Sequence, residues 1–140
     1  MTLAELYASL VRRGVRCFSG DYALDAGADA VVIKLGDAWG MFLDDRKIRT
    51  TAEEKVAVSH ELAHIEEDAT YGVDAPIDLK QKAEALAERR QIESVLPWRV
   101  LAKYLHRGLA PWEIAEAENV TEVFVLKALD YWFEKRGRTA

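Results

Sequence analysis

The residues best placed to do chemistry lie in the stretch Val56 to Thr70, VAVSHELAHIEEDAT. His60 and His64 are four apart, so on a helix they sit one turn from each other on the same face and both imidazoles can converge on one ion. Glu61 directly follows His60. Its carboxylate projects at the edge of that face, close enough to take a proton from a metal-bound water without itself being a ligand. The pattern is HExxH, the half-site of a zinc hydrolase. Two histidines leave zinc one short of the three protein ligands that a catalytic site uses, the fourth position being kept for water.

The third ligand has to come from elsewhere in the chain. His106 is the only other histidine, but it stands beside Gly108 at a predicted helix end, where the helix dipole already explains a cation-capable side chain. Glu84 is the better candidate. It lies twenty residues beyond His64, far enough for a loop and a returning helix. Glu88 is one turn further along the same face. With Glu84 on the metal, Glu88 would accept the N–H of a zinc-bound imidazole and fix its tautomer; the residues alone leave Glu88 open as the competing ligand.

Several elements must position these groups. Thr50 and Thr51, followed by Glu53 and Glu54, supply an N-cap and an acidic first turn, while Val56, Val58, Leu62, Ala63 and Ile65 give the metal helix a buried side. Upstream, Thr2 and Glu5 form a capping box for a helix with an apolar stripe of Leu3, Leu6, Tyr7, Leu10 and Val11, ending at Gly14. Val15 to Phe18 follows, then a polar loop from Ser19 to Asp29. Ala30 to Leu35 and Trp39 to Leu43 read as a β-hairpin about Gly36 and Asp37. A small sheet of about three strands therefore precedes the metal helix and gives it a surface to bury against, an α+β arrangement.

Glu66 to Pro76 reads as a loop carrying Gly72 and Tyr71, the latter within reach of the site. Asp78 is expected to cap a long helix whose apolar side comprises Leu79, Ala83, Leu86, Ala87, Arg90, Gln91 and Val95, and which Pro97 ends. Three more helical patterns follow: Trp98 to His106, Pro111 to Glu118 and Thr121 to Phe133. The last two, joined by Asn119 and Val120, have the proportions of a helix-turn-helix. Charge argues against a nucleic-acid role for them. Residues 98 to 140 hold 7 Lys+Arg against 6 Asp+Glu, and the second helix carries Glu122 and Asp130 against Lys127. A hairpin with Trp112, Phe124, Leu126, Leu129 and Trp132 as its core is the expectation, with Lys135 to Ala140 frayed.

At 140 residues, 50% hydrophobic and 31% charged, the chain fits one compact folded unit. Residues 1–97 make up the part bearing the metal site, and 98–140 a helical extension packed on it. A net charge of −5 disfavours binding to nucleic acid or anionic membrane. The single cysteine, Cys17, cannot make an internal disulfide and is expected in the core. No apolar run reaches membrane length, and the N-terminus reads as an amphipathic helix rather than a signal peptide, so a cytoplasmic location is expected.

Taken together, HELAH, APIDLKQKAE, Glu84 to Glu88, Leu96-Pro97 and PWEIAEAENVTE resemble the ImmA/IrrE-type zinc metallopeptidases of phages, integrative elements and bacteria, over nearly the whole of Leu3 to Trp132. The resemblance implies a minimal zincin-like fold with Zn2+ held by His60, His64 and Glu84, Glu61 as general base and Glu88 behind the ligands. It departs from the family at Glu88, where Asp or Asn is commoner, and at Arg90 and Gln91, where an aromatic and an alanine are. Tyr71 falls where similar sequences carry an aromatic, either donating to an oxyanion or packing. The function implied is endoproteolysis of a specific protein, most plausibly a helix-turn-helix repressor of a phage or mobile element. The alternatives are a metal-containing binding protein that sequesters such a repressor, and a toxin-like peptidase restrained by a partner.

Overall fold

Thr2 opens the first helix as a reciprocal box. Its hydroxyl accepts the Glu5 N–H at 3.1 Å, and the Glu5 carboxylate accepts the Thr2 N–H at 3.3 Å. Helix α1 (Leu3–Arg12) ends where Gly14 takes a positive φ of 72°, a conformation that costs glycine nothing. In this computed structural model, which describes residues 1–24, 28–67 and 76–139, α1 is followed by β1 (Val15–Gly20), β2 (Ala30–Leu35), β3 (Ala38–Asp44), α2 (Thr51–Glu67), α3 (Ile77–Val95), α4 (Trp98–His106), α5 (Pro111–Glu118) and α6 (Glu122–Thr139). The described residues form an α+β protein with one small mixed sheet.

Strand order in the sheet is β1-β3-β2. The hairpin expected from the sequence is present, with β2 antiparallel to β3 and Val32 opposite Met41, while β1 runs parallel to β3 with Cys17 opposite Met41. One core lies between the sheet, α1 and α2. Leu6, Leu10, Met41, Leu43, Val58 and Leu62 fill it. At an average of about 25 cal/mol per Å² of apolar surface, this burial is what holds α2 against the strands. Cys17 is outside it: β1 is an edge strand on which only Val15 is buried, so the cysteine is exposed rather than packed in the core.

A second core joins the end of α3 to α4, α5 and α6 through Ile92, Leu96, Leu101, Ile114, Phe124 and Val125. Two cross-ties reinforce it. Trp132 Nε1 donates to Leu96 O at 3.0 Å, and the ammonium of buried Lys55 on α2 donates to Glu118 O at the end of α5. Asn119 follows in the left-handed region at φ 53°, turning the chain into α6, and its Oδ1 accepts from Thr51 Oγ1 at 3.0 Å. The start of α2 is thus bonded to the α5–α6 turn.

Four local expectations are corrected. Pro76, not Asp78, precedes the first residue of α3, and no side chain caps it; the fixed φ of proline serves the helix start instead. Leu79 and Leu86 are exposed, because the buried face of α3 is Ala83, Ala87, Gln91, Ile92 and Val95. Trp112 and Leu126 are also exposed. Phe124 is buried and Leu129 and Trp132 pack partly buried against the same core, as expected, but Val125 and Ala128 rather than Leu126 complete the buried face of α6. Finally, α6 runs through Thr139, so 135–139 continue the helix rather than fray. Tyr71 and Gly72 lie outside the described residues. No helix among the described residues is long and apolar enough to cross a membrane.

Candidate metal centre

Thr50 caps α2 through its hydroxyl, which accepts the Glu53 N–H at 3.0 Å, while Glu53 reaches back to the Arg49 N–H at 3.2 Å. The helix so started is poor in apolar residues, yet deeply buried. Lys55, Ser59, Glu61 and His64 on α2 and Gln91 on α3 are all buried polar groups, a concentration that core packing alone does not call for. Among the described residues, no buried side-chain nitrogen or oxygen lacks a hydrogen-bond partner.

Helix α3 lies along α2, and its buried positions Ala83 and Ala87 carry nothing beyond Cβ, which lets the two backbones approach. The approach brings Glu84 onto the histidine face. Its Oε2 is 2.9 Å from His60 Nε2 and its Oε1 is 3.0 Å from His64 Nε2. The two imidazoles stand 4.9 Å apart, ring centre to ring centre, at 79° to one another. One donor atom from each of His60, His64 and Glu84 falls within 4.8 Å of the others, a group able to hold a metal ion. His64 is 6% exposed, His60 25% and Glu84 44%, so the cluster is closed on the helix side and open toward solvent beside the carboxylate.

The charges respond to this arrangement. Hydrogen bonds from His60 and then His64 hold the Glu84 carboxyl well below the usual carboxylate range. Burial pushes the His60 imidazole down, but its hydrogen bond to Glu84 and the nearby charges of Glu61 and Glu84 outweigh that, and its pKa is raised. Glu61 goes the opposite way from Glu84. Burial pushes its carboxyl up to about 7, against the pull of His60 and His64 and of a hydrogen bond from the Val32 backbone. Edge strand β2 therefore lies against the carboxylate that follows the first histidine.

Of the residues singled out from the sequence, His60, Glu61, His64 and Glu84 come together. Glu88 lies elsewhere, lining a cleft between α3 and α6 with Arg89, Ile92, Tyr131, Glu134 and Lys135. His106 is exposed at the end of α4. The group next to the second nitrogen of His60 is Gln91, its Oε1 3.3 Å from Nδ1. Spacing carried the signal for it: Gln91 is seven residues beyond Glu84, two helical turns that return within about 20° of the same face, whereas four residues overshoot by about 40°. Val32 had no such signal, since it acts through its backbone.

No family model, curated protein or solved structure matches this chain.

Proposed function

We propose that the chain is a zinc-dependent endopeptidase of the ImmA/IrrE kind, with a zincin-like site made of α2 and α3. The observation that carries this reading is the group His60, His64 and Glu84 with a buried Glu61 beside it. Two imidazoles and one carboxylate are the donor set of His₂Glu zinc hydrolases. Ligands 2.0–2.2 Å from zinc at tetrahedral angles lie roughly 3.3 Å from one another; here the two oxygens of Glu84 are 2.9 and 3.0 Å from the two imidazoles, and one donor atom from each residue falls within 4.8 Å of the others, a spread that small side-chain shifts around an ion would close.

Zinc, when bound, supplies a Lewis acid and makes a coordinated water ionise near neutral pH. The chain supplies the rest. With its carboxyl pushed up to about 7, Glu61 is matched to accepting a proton at neutral pH and returning it to the departing amine of a cleaved peptide bond. The open side at Glu84 gives a polypeptide access. The substrate we infer is a specific protein, a helix-turn-helix repressor of a phage or mobile element, on the sequence resemblance described above.

The test is to load the purified chain with zinc, incubate it with candidate repressors, and follow cleavage by intact-mass spectrometry for wild type and Glu61→Gln. Wild type should cleave at a defined bond. Glu61→Gln should keep its zinc and lose cleavage by at least ~10²-fold. Cleavage retained in the variant would remove Glu61 from the mechanism; stoichiometric capture without cleavage by zinc-loaded wild type would favour a sequestering protein instead.

A further inference from the structure

Gln91 is 3% exposed and reaches across from α3 to three partners on α2. Its Nε2 lies 2.8 Å from Val56 O and 2.8 Å from Ser59 Oγ, and its Oε1 lies 3.3 Å from His60 Nδ1. The two ends of a glutamine amide are similar in shape, so chemistry must decide which is which. A backbone carbonyl can only accept. The atom facing Val56 O is therefore the amide nitrogen, because turning the group over would set oxygen against oxygen. Ser59 agrees: its hydroxyl proton goes to Val56 O at 3.1 Å, leaving its oxygen free to accept from Gln91.

With both N–H groups committed to α2, the oxygen toward His60 can only accept. His60 Nδ1 must then carry a proton to donate to it. Without an ion Nε2 carries a proton too and donates it to Glu84 Oε2 at 2.9 Å; when that proton leaves, Nε2 rather than Nδ1 has the lone pair to give to a metal.

We propose that Gln91 is a positioning residue of the metal centre: by holding the proton of His60 on Nδ1, it presents Nε2 to the ion and fixes the plane of the ring. A carboxylate or backbone carbonyl commonly does this for a zinc-bound histidine. Here a neutral amide does it, anchored by its other end to the backbone of the ligand helix four residues before His60. The inference rests on the reading of His60 as a metal ligand, and it assigns a function to one of the three positions at which the sequence departs from the family it resembles.

Two variants and two readouts test it. Gln91→Leu keeps the bulk and removes the acceptor; Gln91→Glu keeps an acceptor oxygen and removes the amide N–H₂. Zinc affinity, measured by competition with a chromophoric chelator, should fall about 10- to 100-fold in Gln91→Leu and by clearly less in Gln91→Glu, which keeps an acceptor for Nδ1 though its second oxygen meets Val56 O. Nitrogen-15 spectra of the metal-free proteins should show the His60 proton on Nδ1 in wild type and Gln91→Glu, with that signal lost or exchange-broadened in Gln91→Leu. Equal loss of zinc in both variants would make Gln91 a cross-link between helices and overturn the proposal, as would wild-type affinity in Gln91→Leu or an unprotonated Nδ1 in wild type. Absence of zinc from all three proteins, with a Gln91-dependent Nδ1 proton still present, would overturn the metal reading and leave the tautomer assignment standing.

Discussion

His60 and Glu84, twenty-four residues apart in the chain, meet with Nε2 2.9 Å from Oε2, a contact between α2 and α3 made by two groups that are both good metal ligands. Without an ion, the carboxylate is satisfied by imidazole protons. With one, the same oxygens and nitrogens turn to the metal, and the protons must leave.

The Glu61 carboxyl gives the metal-free protein a characteristic pH dependence. It titrates near 4.5 in the unfolded chain and about 7 when folded. Below 4.5 both states hold the proton and there is no penalty. Between 4.5 and 7 the unfolded state gives it up first, so stability falls as pH rises, by about 3 kcal/mol in all. Glu61→Gln removes the penalty. In urea denaturation without metal, the variant should match wild type near pH 4 and exceed it by a few kcal/mol at pH 8. A variant no more stable than wild type at pH 8 would mean that Glu61 is not held in a desolvated place.

Lys55 is 4% exposed, and burial lowers the pKa of its ammonium while Glu118 and Glu5 raise it. Its hydrogen bond to Glu118 O joins α2 to the turn before α6. Lys55→Ala should cost about 2 kcal/mol, the sum of a charge-assisted hydrogen bond and a buried stem. Denaturant unfolding measures it, and a loss under ~0.5 kcal/mol, within the range of ordinary surface changes, would contradict the tie.

The face of α6 that packs can be checked by a pair of truncations. Val125 is fully buried in the second core, while Leu126, its neighbour on α6, is 45% exposed. Val125→Ala should lose about 2 kcal/mol and Leu126→Ala under ~0.5 kcal/mol. The reverse order would restore the packing expected from the sequence pattern.

What could be read from the sequence was what depends on near neighbours. The Thr2–Glu5 and Thr50–Glu53 boxes, the hairpin about Gly36 and the His60–His64 pair are all set by spacings of four residues or fewer, or by a single turn. Glu84 needed only a returning helix. Gln91 was placed correctly on the buried side of its helix, but although its spacing from Glu84 put it on the same face, its contact with His60, thirty-one residues away, forms only when α3 lies on α2. Cys17 and Leu126 were misplaced for a related reason. Whether a strand lies at the edge, or which of two adjacent helix faces is covered, is decided by neighbours distant in the chain, and local apolar pattern is nearly the same either way.

The central claim is a zinc site made of His60, His64 and Glu84. Zinc content by mass spectrometry, on protein purified without an affinity metal and then supplied with zinc and desalted, tests it most directly when wild type is compared with Glu84→Ala and Glu88→Ala. Near-stoichiometric zinc in wild type and Glu88→Ala, with loss in Glu84→Ala, is the predicted result. No zinc in the wild type, or loss in Glu88→Ala alone, would contradict it.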